Sequence, residues 1–149
     1  MYQPRTPGYR KTDQLKRWAL PDRVFFACGA CHILAYAFLE RWGTPETQAI
    51  WIRPGEGFTG NPIFVSDGRW VFDYHGYSCR EVFLSHSWRT SRQRWPGWSP
   101  TMHVLAVDVL VSEQKSKTYE GLWLREPGQF LHDALPRART YLDRFPPPP

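Results

Sequence analysis

The apolar positions of this chain change period twice. From Cys28 to Trp42, residues 28, 31, 35, 38, 39 and 42 fall on one face at helical spacing. Ile33 and Ala37 make the opposite side apolar too, so a central, mostly buried helix is expected over about Cys28 to Trp42. Gly43 stops it and Pro45 follows. Alternation then replaces the helical period. Gln48 to Ile52 reads as a strand, and Arg53 to Gly60 as a glycine-containing loop. Asn61 to Ser66 and Arg69 to Tyr74 are strand-like runs joined by Asp67-Gly68, which spells a tight hairpin turn. A helix returns from Cys79 to about Arg94 and breaks at Pro96-Gly97.

The flanking segments complete the picture. Residues 1–11 read as extended, and Thr12 or Asp13 caps a short helix through Ala19 that Pro21 ends. Asp22 to Ala27 leads into the central helix. Met102 to Val107 reads as a strand, with a helix over Val104 to Glu113 as the competing assignment. Ser112 to Thr118 is polar, Gly121 to Leu124 reads as a short strand, and a helix follows from about Pro127 to Phe145, kinked at Pro136. Helix, then meander, then helices is an α+β arrangement: one domain over residues 1–145 and a proline tail over 146–149.

Composition narrows the function classes. The chain has 149 residues, eight Trp, seven Tyr, nine Phe and a formal charge of +5. Arg89, Arg92 and Arg94 lie beside Trp88, Trp95 and Trp98, but the weak net charge favours a solvated face over a nucleic-acid stripe. No apolar run is long enough to cross a bilayer, so no membrane partner is expected. The start Met1-Tyr2-Gln3-Pro4-Arg5 lacks the apolar core of a secretory signal, and three cysteines is an odd number. Reduced thiols in a cytoplasm are the expectation.

The chemistry concentrates at Cys28-Gly29-Ala30-Cys31-His32. A helix start offers free N–H groups and the positive end of the dipole, which stabilise a thiolate. Cys28 is the candidate nucleophile, and Cys31, a turn further in, reads as a core residue. In the hairpin, a two-residue turn would pair Ser66 with Arg69, Ile63 with Phe72 and Pro62 with Asp73. Opposed side chains lie roughly 4.5–5.5 Å apart. Strand alternation puts His75 on the same face as Asp73.

These pieces resemble the core of the papain-like and transglutaminase-like thiol enzymes. The resemblance is carried by a Cys at the start of a buried helix, the helix end Phe38-Leu39-Glu40-Arg41-Trp42-Gly43-Thr44-Pro45, and Asp67-Gly68-Arg69-Trp70-Val71-Phe72-Asp73. It is closest to small bacterial and phage proteins with C-G-x-C-H and D-x-H-G motifs, here Asp73-Tyr74-His75-Gly76, and covers residues 24–77. It implies a cysteine hydrolase or acyl transferase with a helix-start nucleophile, a base His opening the first hairpin strand, and an Asp ending the second. Spacing to the glycine after the helix favours Cys28 as nucleophile, and Asp73 takes the orienting role. Pro62 stands where the base belongs. Three accounts stay open: His75 serves as base, His32 contacts the thiol, or the chain is a catalytically dead relative kept for binding. No cofactor is implied. Two rival readings use the same residues. Cys28, Cys31, His75 and Cys79 have the types and spacing of a structural zinc site in a binding module. Cys28-x-x-Cys31-His32 also fits a haem attachment pattern with Met102 as axial ligand. His86 and His132 read as helix-surface residues. His103 precedes an apolar run and is placed to approach the site from a later strand.

Overall fold

The computed structural model describes residues 13–55, 61–94, 97 and 100–149. The extended N-terminus, a Thr12 cap, the rest of the Arg53 to Gly60 loop, and Trp95 and Trp98 of the arginine-rich stretch lie outside the described residues. Among the described residues, helices α1 (Gln14–Trp18), α2 (Asp22–Ala27) and α3 (Cys31–Trp42) precede strands β1 (Gln48–Arg53), β2 (Ile63–Ser66), β3 (Trp70–Asp73) and β4 (Gly76–Cys79). Helix α4 (Arg80–Arg94), strand β5 (Thr101–Leu105), a short α5 (Glu113–Ser116) and α6 (Ala134–Leu142) follow. The strands form one open antiparallel sheet in the order β4-β3-β2-β1-β5. The α+β expectation stands.

Strand alternation sorts the sheet's side chains into two cores. Trp51, Ile63, Val65 and Phe72 point to the face covered by α3 and α6, where Phe25, Phe26, Ile33, Leu34 and Phe38 are buried. Ile52, Phe64 and Val71 point the other way and pack on Phe83 of α4. Phe38 stacks on Phe72 with centroids 4.7 Å apart, seating α3 over β3. Arg137 of α6 ties the helical layer together. It donates to Asp22 Oδ1 at 2.8 Å and to the carbonyls of Trp18 and Leu20 at 2.7 Å, with its guanidinium 4.0 Å above the Phe25 ring.

The central helix begins three residues later than its pattern predicts. Cys28 is the C-cap of α2, Gly29 takes a φ of +103°, and Ala30 caps α3, so the helix-start cysteine is Cys31. The break is enforced from α1. Arg17, 4% exposed, donates from Nη2 to the Gly29 carbonyl at 2.7 Å while lying 4.8 Å over Phe130. A Cβ at residue 29 would run into that guanidinium. Asp13 caps α1 by accepting from the Lys16 N–H at 3.1 Å.

The hairpin register also departs from the two-residue turn. Val65 pairs with Phe72 and Ser66 with Val71, which leaves residues 67–70 in the connection. Local side chains hold this wider loop. Asp67 Oδ1 accepts from the N–H groups of Arg69 (2.9 Å) and Trp70 (3.2 Å), and Ser66 Oγ accepts from Gly68 N–H (2.9 Å) while donating to the Trp70 carbonyl (2.7 Å). One step further along the ladder, Phe64 stands across from Asp73, not Pro62. Pro62 precedes β2, is exposed, and offers its carbonyl to Ile52 N–H at 2.9 Å.

Four further segments differ from the pattern reading. Asp73 pairs with Gly76, so Tyr74-His75 is a tight turn into β4, a strand too short and polar to announce itself. The competing assignments over 102–113 share the segment, with strand to Leu105 and a 3-10 helix over Val107–Val111. Gly121 to Leu124 is not a strand: Leu122 and Leu124 are buried, and Leu124 N–H donates to Ser116 Oγ at 2.9 Å. The last helix splits into a 3-10 turn, Pro127–Gln129, and α6, capped by Asp133, which puts Pro136 in the first turn where no N–H is needed.

Gly29→Ala should therefore destabilise the fold by about 1–3 kcal/mol from backbone conformation alone, with displacement of Arg17 in addition. A urea titration should show a lower midpoint at unchanged slope.

Candidate active site

Cys31 is the first residue of α3, and Ala30 supplies no side-chain cap to the helix. Its thiol donates to the Asn61 carbonyl, Sγ to O 3.8 Å, at the entrance to β2. Backbone N–H groups of Ile63, His32 and Cys31 itself favour the thiolate. Burial outweighs them. It pushes the thiol up to about 11, and the negative charge of Asp73 acts in the same direction. Cys31, Leu34, Ile63, Asp73 and Tyr74 line a crevice too narrow to hold a water molecule. The sulfur and the carboxylate thus face one closed space from the start of α3 and the end of β3.

Asp73 is 7% exposed and bound to His75 twice over. Its Oδ1 accepts from the His75 backbone N–H at 2.8 Å, and His75 Nδ1 lies 2.9 Å from Oδ1 and 3.0 Å from Oδ2. The expected proximity of Asp73 and His75 is present, but the tight turn produces it rather than strand alternation. The imidazole stacks on Tyr74 at 4.2 Å and meets the edge of His86 at 6.2 Å. Burial holds His86 below the usual imidazole range. Tyr141 Oη donates to the Tyr74 carbonyl at 2.6 Å, fixing the turn against α6.

The other sequence candidates occupy different places. Cys28 is half-buried at the end of α2, its N–H donating to the Val24 carbonyl at 2.9 Å, and it is not among the residues lining the crevice. Cys79 is exposed at the end of β4. Among the described residues no three His, Cys, Asp or Glu side chains gather to hold a metal ion, so Cys28, Cys31, His75 and Cys79 do not form a zinc set. His32 is 3% exposed, with Nε2 2.7 Å from the Arg125 carbonyl. Burial lowers it to about 4, so the ring is neutral and donates Nε2–H to that carbonyl. It serves the core and is not free to act as haem ligand or base. Met102, the other haem candidate, is exposed on β5.

His103 does face the same side of the sheet. It pairs with Trp51, ring centroids 5.3 Å apart, and its Nε2 bonds Thr101 Oγ1 at 2.8 Å. Trp51 Nε1 donates to Asn61 Oδ1 at 3.0 Å, so one residue, Asn61, holds the indole by its side chain and the thiol by its carbonyl. Nothing in the pattern pointed to Asn61. Its only signal is its place at the mouth of the first hairpin strand, before Pro62. Comparison of the chain with protein-family models, curated proteins and solved structures finds no match in any of the three.

His32 gives the fold a pH dependence of definite sign. The unfolded chain takes up a proton near pH 6.5, which the folded ring refuses until about 4. Stability should fall as pH drops through that window, by about 1.4 kcal/mol per unit from this group, and level off below it. In paired urea titrations, His32→Gln should lose less stability than the parent between pH 7 and pH 4, since glutamine keeps a donor but takes up no proton; equal losses would assign the effect elsewhere.

Proposed function

We propose that this domain is a thiol-dependent hydrolase or acyl transferase of papain-like or transglutaminase-like type, with Cys31 as nucleophile and the Asp73–His75 pair as its proton-accepting partner. The observation that carries the reading is the crevice shared by Cys31 at a helix start and Asp73 at a strand end, with His75 Nδ1 held 2.9 Å from that Asp. The helix-start position, which the resemblance makes nucleophilic, passes from Cys28 to Cys31 because the helix begins there. An Asp that holds one imidazole nitrogen fixes the ring and stabilises its protonated form, the role of the third member in nucleophile–base–orienter sites.

In the reaction, the Cys31 proton passes to the imidazole and the thiolate attacks an acyl carbonyl carbon. The amine or alkoxide leaves with that proton, and a thioester remains on Cys31. Water or an acceptor amine then attacks the thioester and regenerates the thiol. The N–H groups of Cys31, His32 and Ile63 near the sulfur are the kind of donors that steady developing negative charge. The crevice must open for an acyl group to enter. A second reading is favoured by the same closure. A thiol raised to about 11 in a space too narrow for a water molecule suits a domain that has kept the architecture and lost turnover, leaving a binding module.

p-Nitrophenyl acetate separates the two. The active reading expects acetylation of Cys31, located by peptide mass spectrometry, which Cys31→Ala abolishes and Cys28→Ala leaves intact. His75→Asn should slow it by about 10²–10⁴-fold, the usual worth of a general base. Acetyl groups on Cys79 alone, or a rate indifferent to His75→Asn, would leave the binding module.

A further inference from the structure

Two side chains from different elements grip one peptide group beside the candidate site. The Tyr74 carbonyl and the His75 N–H belong to the same planar unit, and in a trans peptide they point in opposite directions. Tyr141 Oη, on α6, donates to that carbonyl at 2.6 Å. Asp73 Oδ1, at the end of β3, accepts from that N–H at 2.8 Å. The peptide is the central one of the Asp73–Gly76 turn, and its flip is what converts one common turn type into another. The flipped turn needs positive φ at its third residue, here His75. Among the described residues every positive φ belongs to a glycine, Gly76 included, so the flipped form is not the one adopted. Tyr141 is 3% exposed, with its ring packed on Phe26 at 5.0 Å and on Phe145 at 5.4 Å.

We propose that Tyr141 is a positioning residue for the Asp73–His75 pair, its hydroxyl holding the peptide that sets the imidazole against the carboxylate. The catalytic meaning of this role rests on the thiol-enzyme reading above. The physical case has three parts. The Tyr74–His75 peptide leads directly into the His75 Cα, so its plane limits where the ring can go. The ring arrives with Nδ1 2.9 and 3.0 Å from the two carboxylate oxygens and stacked on Tyr74 at 4.2 Å. A donor on the carbonyl also polarises the amide, which makes its N–H a stronger donor to Asp73. Finally, a turn at the end of a sheet is ordinarily among the least stable parts of a fold. The Tyr141 bond ties this one to a buried side chain of α6, so placement of the imidazole becomes a property of the packed core.

The test compares the full chain with Tyr141→Phe, both labelled with 15N. Phenylalanine keeps the ring that packs on Phe26 and Phe145 and removes one hydroxyl. Leu110→Val, a change of a fully buried side chain in the 3-10 helix Val107–Val111, controls for a general loss of packing. The readout is the His75 imidazole. A carboxylate only accepts, so the ring presents Nδ1–H to Asp73, and the signal of that proton reports the bond. In Tyr141→Phe it should move upfield and exchange faster with water, while in Leu110→Val it stays in place. An unmoved signal in Tyr141→Phe, or the same movement in Leu110→Val, would overturn the proposal. Acetylation by p-nitrophenyl acetate is the second arm. Tyr141→Phe should slow labelling of Cys31 by about fivefold, the net worth of one hydrogen bond, and so by less than His75→Asn does. An unaltered rate counts against the positioning role. A parent chain that is never acetylated at Cys31 overturns the hydrolase reading alone, and the imidazole signal still decides whether Tyr141 places His75.

Discussion

Arg17 of α1 is 4% exposed, and the hydrogen bond it gives the Gly29 carbonyl holds the break between α2 and α3 on which the placement of Cys31 depends. A buried guanidinium must spend its donors on fixed acceptors, because an unpaired buried charge costs several kcal/mol. Gly29 is the residue that can meet it: φ is +103°, and a side chain there would occupy the space of the guanidinium. The turn ends α2, resets the helix phase, and starts α3 at Cys31. That phase carries Phe38 onto Phe72 and brings Cys31 to the entrance of β2. Had the helix run unbroken from α2, Cys28 and Cys31 would both sit inside it, and neither thiol would meet free N–H groups.

The elements that side-chain period alone decides were legible. The apolar stretch to Trp42, the β1 alternation, the hairpin around Asp67-Gly68 and α4 all match the pattern within a few residues. What escaped depends on contacts between distant residues or on side chains bonding their own backbone. Gly29 reads as an ordinary helix glycine until Arg17 is placed beside it. The hairpin register moved by two because Asp67 and Ser66 close a wider loop with their side chains, a bonding choice that competes with the tightest turn. At the site, the Asp73–His75 pairing was readable from D-x-H spacing, although a turn rather than a strand makes it. The approach of Asn61 to the thiol was not readable, since it needs the α3–β2 packing.

The juxtaposition of Cys31 and Asp73 has a consequence for charge. A carboxylate facing a thiol disfavours the thiolate, and burial adds to the penalty. The thiol is therefore held in its neutral form in the crevice. His75 is bound to Asp73 by both its ring nitrogen and its backbone. His86, its ring centroid 6.2 Å from that of His75, adds a second imidazole whose proton is disfavoured by burial. Solvent entry would relax both penalties at once, because water screens the carboxylate and solvates the sulfur.

Helix α3 joins two regions of different character. At its first residue sits a narrow crevice in which the Cys31 thiol and the Asp73 carboxylate lie among Leu34, Ile63 and Phe72. At its last, Trp42, begins an open groove in which the half-buried Trp42 and the largely buried Trp70 lie among Glu46, Asp67 and Arg69. Twelve residues separate them by about 16 Å at 1.5 Å per residue. Between the two, Phe38 touches Phe72, Trp70, Trp42 and Tyr77. Phe72 directly precedes Asp73, and Tyr77 follows the Tyr74-His75 turn into β4. Phe145 packs on Phe72 and also lies where a side chain on Gly76 would go. Phe145 thus lies against residues at both ends of the Asp73–Gly76 turn. Phe145 also packs on Tyr141, whose Oη donates to the Tyr74 carbonyl, and Tyr77 Oη donates to the Pro146 carbonyl, so the segment after α6 meets the turn through several contacts.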